Sequence, residues 1–340
     1  MRASETMTYF TGWGIKMETK VVGAEYIEEA AKLIREGEVV AFPTETVYGL
    51  GASAFDENAV SKIFAAKGRP QDNPLIVHIA DTEMLDKVAV CIPDGARKLF
   101  ERFSPGPLTV ILKKAPEIPL SVTANLDTVG IRIPSHPIAT ALIKAAGVGI
   151  AAPSANTSKR ISPTTAEHGL EDMNGKIPMI LDGGPCAVGI ESTIVDMTKD
   201  VPVVLRPGAI TVEMLSEVLG TVRTFTGEVK IAEAPGMKYT HYAPVVPCCL
   251  AATPEAATRF LSETPGAAVI GREGFLDRIS GGEKISLGKD AESMEQGVYA
   301  AMRRAEKIYK AIVVELPSDT GLDASVRNRL MKSSGGKIIY

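Results

Sequence analysis

Aromatic residues are scarce in this chain, at 5% of 340 residues, and there is a single tryptophan. That argues against a surface of interleaved rings of the kind that stacks unpaired bases. Cysteine is scarce too. Of the four, Cys248 and Cys249 are adjacent in an apolar run and none has metal-ligand spacing, which speaks against a disulfide framework or a zinc site. No apolar run reaches the ~18 residues of a membrane span. The opening MRASETMTYFTGWGIK has no apolar centre to mark a secretory signal, and residues 1–16 read as a flexible extension. Together these absences predict a reducing, cytoplasmic location. A basic excess is also missing: the formal net charge is −4, and residues 1–215 carry 21 Lys and Arg against 26 Asp and Glu. Any anion site must therefore be a local concentration of cations.

What is present is a full apolar interior, with 45% hydrophobic and 23% charged residues. The length suits one large and one smaller domain. Residues 24–36 put Ile27, Ala30, Ala31 and Leu33 on one side with acids towards the amino end, an amphipathic helix stopped by Gly37. DENAVSKIFAAKG (56–68) reads as a helix capped by Asp56 and ended by Gly68, and LIVHIA (75–80) as a strand. Strands and helices alternate to about residue 220, but several strands follow one another directly, so the sheet is expected to be mixed. The pattern breaks over 221–246, a linker, and resumes as a small doubly wound α/β domain over 247–340.

The polar residues with no obvious structural duty collect at strand ends, where open α/β sheets bind ligands. PTETVYGLGA (43–52) follows one strand and KGRPQDNPL (67–75) one helix. Arg132 interrupts an apolar strand, APSANTSKRISP (152–163) is rich in small hydroxyls, and Ser192, Thr193 and Arg206 flank two further strands. Lys238, His241 and Tyr242 stand in the linker. Taken singly, each has an ordinary explanation: a helix cap, a wet strand face, a turn. Taken together, cations and hydroxyls at successive strand ends suit a polyphosphate plus a small polar substrate. GxxxxGK[ST], GxGxxG and GxSxG motifs are all absent. A site poor in nucleophiles and rich in electrostatic donors favours chemistry between bound substrates, such as nucleotidyl transfer.

The ordered set PTETVYGLG, KGRPQDNPLIVHI, SPGPLTVIL, GIRIPSHP, APSAN, GIESTIVD and LRPG closely resembles the YrdC-like threonylcarbamoyl-AMP synthase family. APGMKYTHYAP followed by a small α/β domain resembles its long, two-domain form. The resemblance implies a YrdC-like twisted mixed open sheet with a concave basic surface over 17–220, a linker or lid over 221–246, and a small Rossmann-like domain over 247–340. It implies an enzyme that joins L-threonine, bicarbonate and ATP into threonylcarbamoyl-AMP with release of pyrophosphate. The product would pass to a tRNA threonylcarbamoyl transferase complex, with direct tRNA binding left open. Carried over residue by residue, Thr46, His78, Arg132 and Ser192 match positions that hold threonine. Arg69, Asn73, Thr128, Ala152, Ser154, Asn156, Ser162, Arg206 and Tyr242 match the ATP side, with Lys67 and Arg69 as the catalytic cations. Magnesium is expected with ATP, without a protein metal site and without zinc. The alternatives are an RNA-binding module using the concave surface, or another carbamoyl-handling enzyme.

Overall fold

The computed structural model describes residues 18–227, 232–236 and 242–340. The expected 1–16 extension, Lys238 and His241 lie outside the described residues. The first twelve strands are β1 (Lys20–Val22), β2 (Val40–Phe42), β3 (Gly49–Ser53), β4 (Ile76–His78), β5 (Ala89–Val90), β6 (Leu108–Lys114), β7 (Thr128–Arg132), β8 (Ile150–Ala152), β9 (Met179–Leu181), β10 (Thr193–Asp196), β11 (Val203–Arg206) and β12 (Arg223–Thr224). They form one sheet of order β1-β9-β2-β3-β8-β4-β7-β6-β10-β11-β12, with β5 beside β6. Parallel and antiparallel pairs alternate irregularly, so the sheet is mixed, as expected.

Helices α1 (Ile27–Arg35), α2 (Glu57–Lys67), α3 (Leu85–Val88), α4 (Asp94–Phe103), α5 (Leu120–Thr123), α6 (Pro137–Ala146), α7 (Ala166–Met173) and α8 (Val212–Leu219) surround it. One face is covered by a core that includes Ile63, Leu99 and Leu215, the other in part by Ala30, Ile34, Leu142 and Ile143. The caps read from sequence are in place: the Asp56 carboxylate accepts from the Asn58 and Ala59 amides, and Gly68 closes α2 at φ 60°. The strand expected over 75–80 shrinks to three residues. The Leu75 amide donates outside the sheet to the Val122 carbonyl, and the bond of the Ile79 amide to the Arg132 carbonyl is the last of the ladder with β7. A small third cluster, Ile76, Ile111, Ile194 and Leu205, lies on the open face and is met by Ala234 of the linker.

The second domain has β13 (Cys248–Ala251), β14 (Ala267–Gly271), β15 (Glu283–Ser286), β16 (Ala311–Glu315) and β17 (Ile338–Ile339). They form a parallel sheet of order β15-β14-β16-β13-β17. Helices α9 (Pro254–Glu263) and α10 (Glu273–Leu276) cover one face, and α11 (Ala291–Ile308) and α12 (Gly321–Ser333) the other. The doubly wound layering matches the sequence reading. The strand order, with β16 between β14 and β13, departs from the dinucleotide-binding arrangement, and no periodicity could reveal that.

The two domains share a core. Val47, Ile161, Ile190 and Tyr242 pack with Met294, Val298 and Met302 of α11. Gly189 is needed here: its φ is +88°, and a Cβ would lie 2.4 Å from the Gln296 carbonyl oxygen. Within the second domain, Glu295 is 5% exposed, and burial pushes its carboxyl up from 4.5 to about 7, against the Ser325 hydroxyl that donates to it. Between those two values the unfolded chain releases this proton before the folded one, so stability falls as pH rises through the window. Glu295→Gln is expected to stabilise the protein by about 2–3 kcal/mol near pH 8 and hardly at all near pH 4. Equal effects at the two pH values in calorimetric melts would exclude this.

Candidate active site

Cross-strand register builds the site. His78 of β4 pairs with Arg132 of β7, Arg132 with Thr109 of β6, Thr109 with Ile194 of β10, and Ile194 with Arg206 of β11. Residues in register on adjacent strands share a face. One rung therefore carries His78, Arg132 and Arg206 across five strands, a span of roughly 19 Å at ~4.8 Å per strand. The rung borders a cleft with about 700 Å³ of empty space. Its lining holds six Lys and Arg side chains (Lys67, Arg69, Arg132, Lys159, Arg160 and Arg206) against one carboxylate, Glu191; behind the lining Arg132 pairs with Glu45 and Arg160 with Glu306. On a chain of net charge −4, this is the local cationic concentration that composition demanded.

Thr46, His78, Arg132 and Ser192, the four residues assigned to threonine, all lie in the cleft wall. Arg132 is 4% exposed, and its Nη2 stands 2.8 Å from Glu45 Oε1. Glu45 Oε2 accepts from the Ser135 amide. Burial, then the charge of Arg132, push the His78 imidazole down to about 3, so the ring is neutral. The Thr46 and Thr44 hydroxyls are 2.8 Å apart, and the Ser192 and Thr109 hydroxyls likewise.

Arg206, beside Ser192, is buried, and its fork donates to the Ser192 carbonyl at 3.0 Å, the Ser192 hydroxyl at 3.1 Å and the Pro235 carbonyl at 3.2 Å. No carboxylate of the described residues lies within ion-pair distance of it. Arg69, Ala152, Ser154, Asn156, Ser162 and Tyr242 line the same space. Arg69 also donates to the Asn73 and Pro74 carbonyls at 3.2 Å, bracing the loop behind it.

Three residues sit differently from expectation. Lys67 borders the cleft, but its ammonium is turned to backbone: it donates to the Ser154 carbonyl, the Asn156 carbonyl at 2.5 Å and Asn156 Oδ1 at 3.3 Å. In this geometry the Lys67 ammonium holds the 154–156 loop from the edge of the cleft. Asn73 is buried and meets Arg69 through its carbonyl rather than facing the cleft. Thr128 lies in a smaller adjoining recess with Thr109, Ile111 and Ala234, connected past Ile76 and Pro235.

Sequence reasoning did not assign Glu45 or Glu191. Glu191 accepts from Ser162 at 2.5 Å, from Tyr299 at 3.1 Å and from Arg329 Nε at 2.8 Å. Burial works against its charge, but Arg329 and Arg206 outweigh that and hold the carboxyl below its ordinary value. The one signal was a lone acid inside an apolar and hydroxyl run, GIESTIV. Neither carboxylate is available to a metal, and no cluster of three candidate ligands occurs among the described residues. Tyr242, stacked on Tyr299 at 5.6 Å, is the single Phe, Tyr or Trp in the described cleft lining, so a ladder of base-stacking rings is missing.

Comparison with known proteins points the same way. A family model of Sua5, YciO and YrdC proteins, described as "Telomere recombination", matches residues 32–208. A second, described as "Threonylcarbamoyl-AMP synthase, C-terminal domain", matches residues 210–335. The threonylcarbamoyl-AMP synthase of Pyrococcus abyssi is 45% identical over 93% of this chain and 97% of its own, and that of Bacillus subtilis 46% over 92% and 94%. The crystal structure of P. abyssi Sua5 complexed with L-threonine superposes with a TM-score of 0.88 at 42% identity, covering 94% of this chain and 99% of that one.

Proposed function

The chain belongs to the Sua5/YciO/YrdC family, and from that premise we infer that it is an enzyme that makes threonylcarbamoyl-AMP. Its substrates are L-threonine, bicarbonate and ATP, and pyrophosphate is released. The observation that carries the reading is the single rung that sets a carboxylate-binding arginine, Arg132, and a buried arginine without a carboxylate partner among the described residues, Arg206, in one cleft. A threonine carboxylate at Arg132, beside its Glu45 partner, and phosphates at Arg206 and Arg69 fit this arrangement.

In the mechanism this supports, the free threonine amine adds to carbon dioxide with loss of a proton, or condenses with bicarbonate with loss of water, to form a carbamate. The carbamate oxygen attacks the α-phosphorus of ATP; the new P–O bond forms as the bond to pyrophosphate breaks. This makes the reaction a nucleotidyl transfer. Arg69 and Arg206 offset phosphate charge, while Lys67 holds the Ser154 to Asn156 loop against it. Thr46 and Ser192 offer hydroxyls to threonine, and neutral His78 adds no competing charge. Magnesium fits as the counterion of the nucleotide, held by phosphate and water. Tyr242 closes the cleft from the linker side, a lid role. The product is reactive, and a tRNA threonylcarbamoyl transferase complex is its proposed recipient. No described helix is long and apolar enough to cross a membrane, and all four cysteines are free, which suits the cytoplasm.

Pyrophosphate release is expected only with threonine and bicarbonate both present, with a product of the mass of threonylcarbamoyl-AMP. Release at the same rate with neither would overturn the reading.

A further inference from the structure

Resting on the synthase reading, we propose that helix α12 of the second domain positions the cleft, with Arg329 as the positioning residue. Arg329 is wholly buried, yet most of its bonds leave its own domain. Its Nε donates to Glu191 Oε2 at 2.8 Å; its Nη2 donates to the Glu191 carbonyl at 3.1 Å and the Pro207 carbonyl at 2.9 Å. Glu191 precedes Ser192, and Pro207 follows Arg206. The guanidinium lies 5.8 Å from the centre of the Tyr242 ring. One turn on, Lys332 donates to the Gly236 carbonyl, and the Ser333 hydroxyl to the Tyr242 carbonyl at 2.8 Å.

One helix thus grips three pieces of the cleft wall: the entry to β10, the turn after β11, and the linker at Gly236 and Tyr242. Docking alone does not require this. Val47, Ile161 and Ile190 already bury an apolar contact with the second domain, and a buried ion pair is a poor source of net stability. A fork with fixed geometry, holding the residues beside Ser192 and Arg206, is a means of orientation. Small displacements of such groups impair reaction strongly. The second domain therefore completes the site through Glu191, Pro207 and the linker without touching substrate.

The test uses the full chain. The double variant Glu191→Gln/Arg329→Met removes both charges of this pair together, and Lys332→Ala removes one clasp to the linker. Both are expected to melt within a few degrees of the wild type, with KM and calorimetric Kd for ATP raised about 10-fold in the first and about 3-fold in the second. Arg329→Lys is expected to recover the thermal midpoint of Arg329→Ala but not its ATP affinity. Folded variants with wild-type ATP affinity would overturn the proposal. Should the Arg329 variants fail to fold, a wild-type ATP Kd in Lys332→Ala overturns it, and a raised one supports it. A wild type that binds ATP but forms no threonylcarbamoyl-AMP would overturn the synthase reading instead, and the ATP Kd comparison would still decide this one.

Discussion

Arg206→Met is expected to lower kcat/KM for ATP by about 10²–10³-fold while leaving the thermal midpoint nearly unchanged. The first part follows from the position of the guanidinium at the cleft end of β11, buried and bonded to neutral acceptors among the described residues. A cation in such surroundings interacts with an arriving phosphate at low effective dielectric and without reorganisation. The second part follows from two opposed terms. Methionine loses three donated hydrogen bonds, worth about 1 kcal/mol each. It also removes a desolvated charge, and that desolvation alone costs several kcal/mol. Threonine affinity is expected to weaken by less, through the loosened Ser192. A variant with wild-type kcat/KM, or one that melts far lower yet works normally per folded molecule, would assign Arg206 to structure.

Arg132→Ala has the second large effect, and here fold and function must be separated. The side chains of Arg132 and Glu45 are 5% and 8% exposed. Removing the arginine strands a buried carboxylate and is expected to cost about 3–5 kcal/mol of stability. It also removes the carboxylate partner proposed for threonine, raising KM for threonine by about 100-fold or more. The combination Glu45→Gln/Arg132→Ala is expected to recover most of the stability and none of the threonine affinity. Steady-state assays at saturating ATP, run beside thermal melts, distinguish the two. Recovery of threonine KM in the double variant would mean that Arg132 acts only by neutralising Glu45.

Much was readable from residues alone. Apolar spacing located α1, the caps Asp56 and Gly68 bounded α2, and the mixed character of the sheet followed from consecutive strands with no helix between them. The motifs KGR, SAN, IRIP and LRPG named the residues that line the cleft, because short-range chemistry marks them: a charge in an apolar strand, or hydroxyls where turns leave amides open. Asn73 and Lys67 show the limit. Their motif membership was evident, but whether a side chain faces a ligand or its own backbone depends on loop geometry that only packing sets.

The remainder was decided between segments far apart in the chain. His78, Arg132 and Arg206 are dispersed over well over a hundred residues, and strand order and register alone put them on one rung. Glu45 and Glu191 were legible only as acids; packing within the first domain made Glu45 the partner of Arg132, and docking of the second made Glu191 the partner of Arg329. The sequence by itself determined the residue chemistry, the local elements and the need for a local cationic site on an acidic chain, since these depend on composition and neighbours. The tertiary structure alone decided which groups meet, and that the second domain reaches the cleft through α12, since register, burial and domain docking are long-range properties of the folded chain.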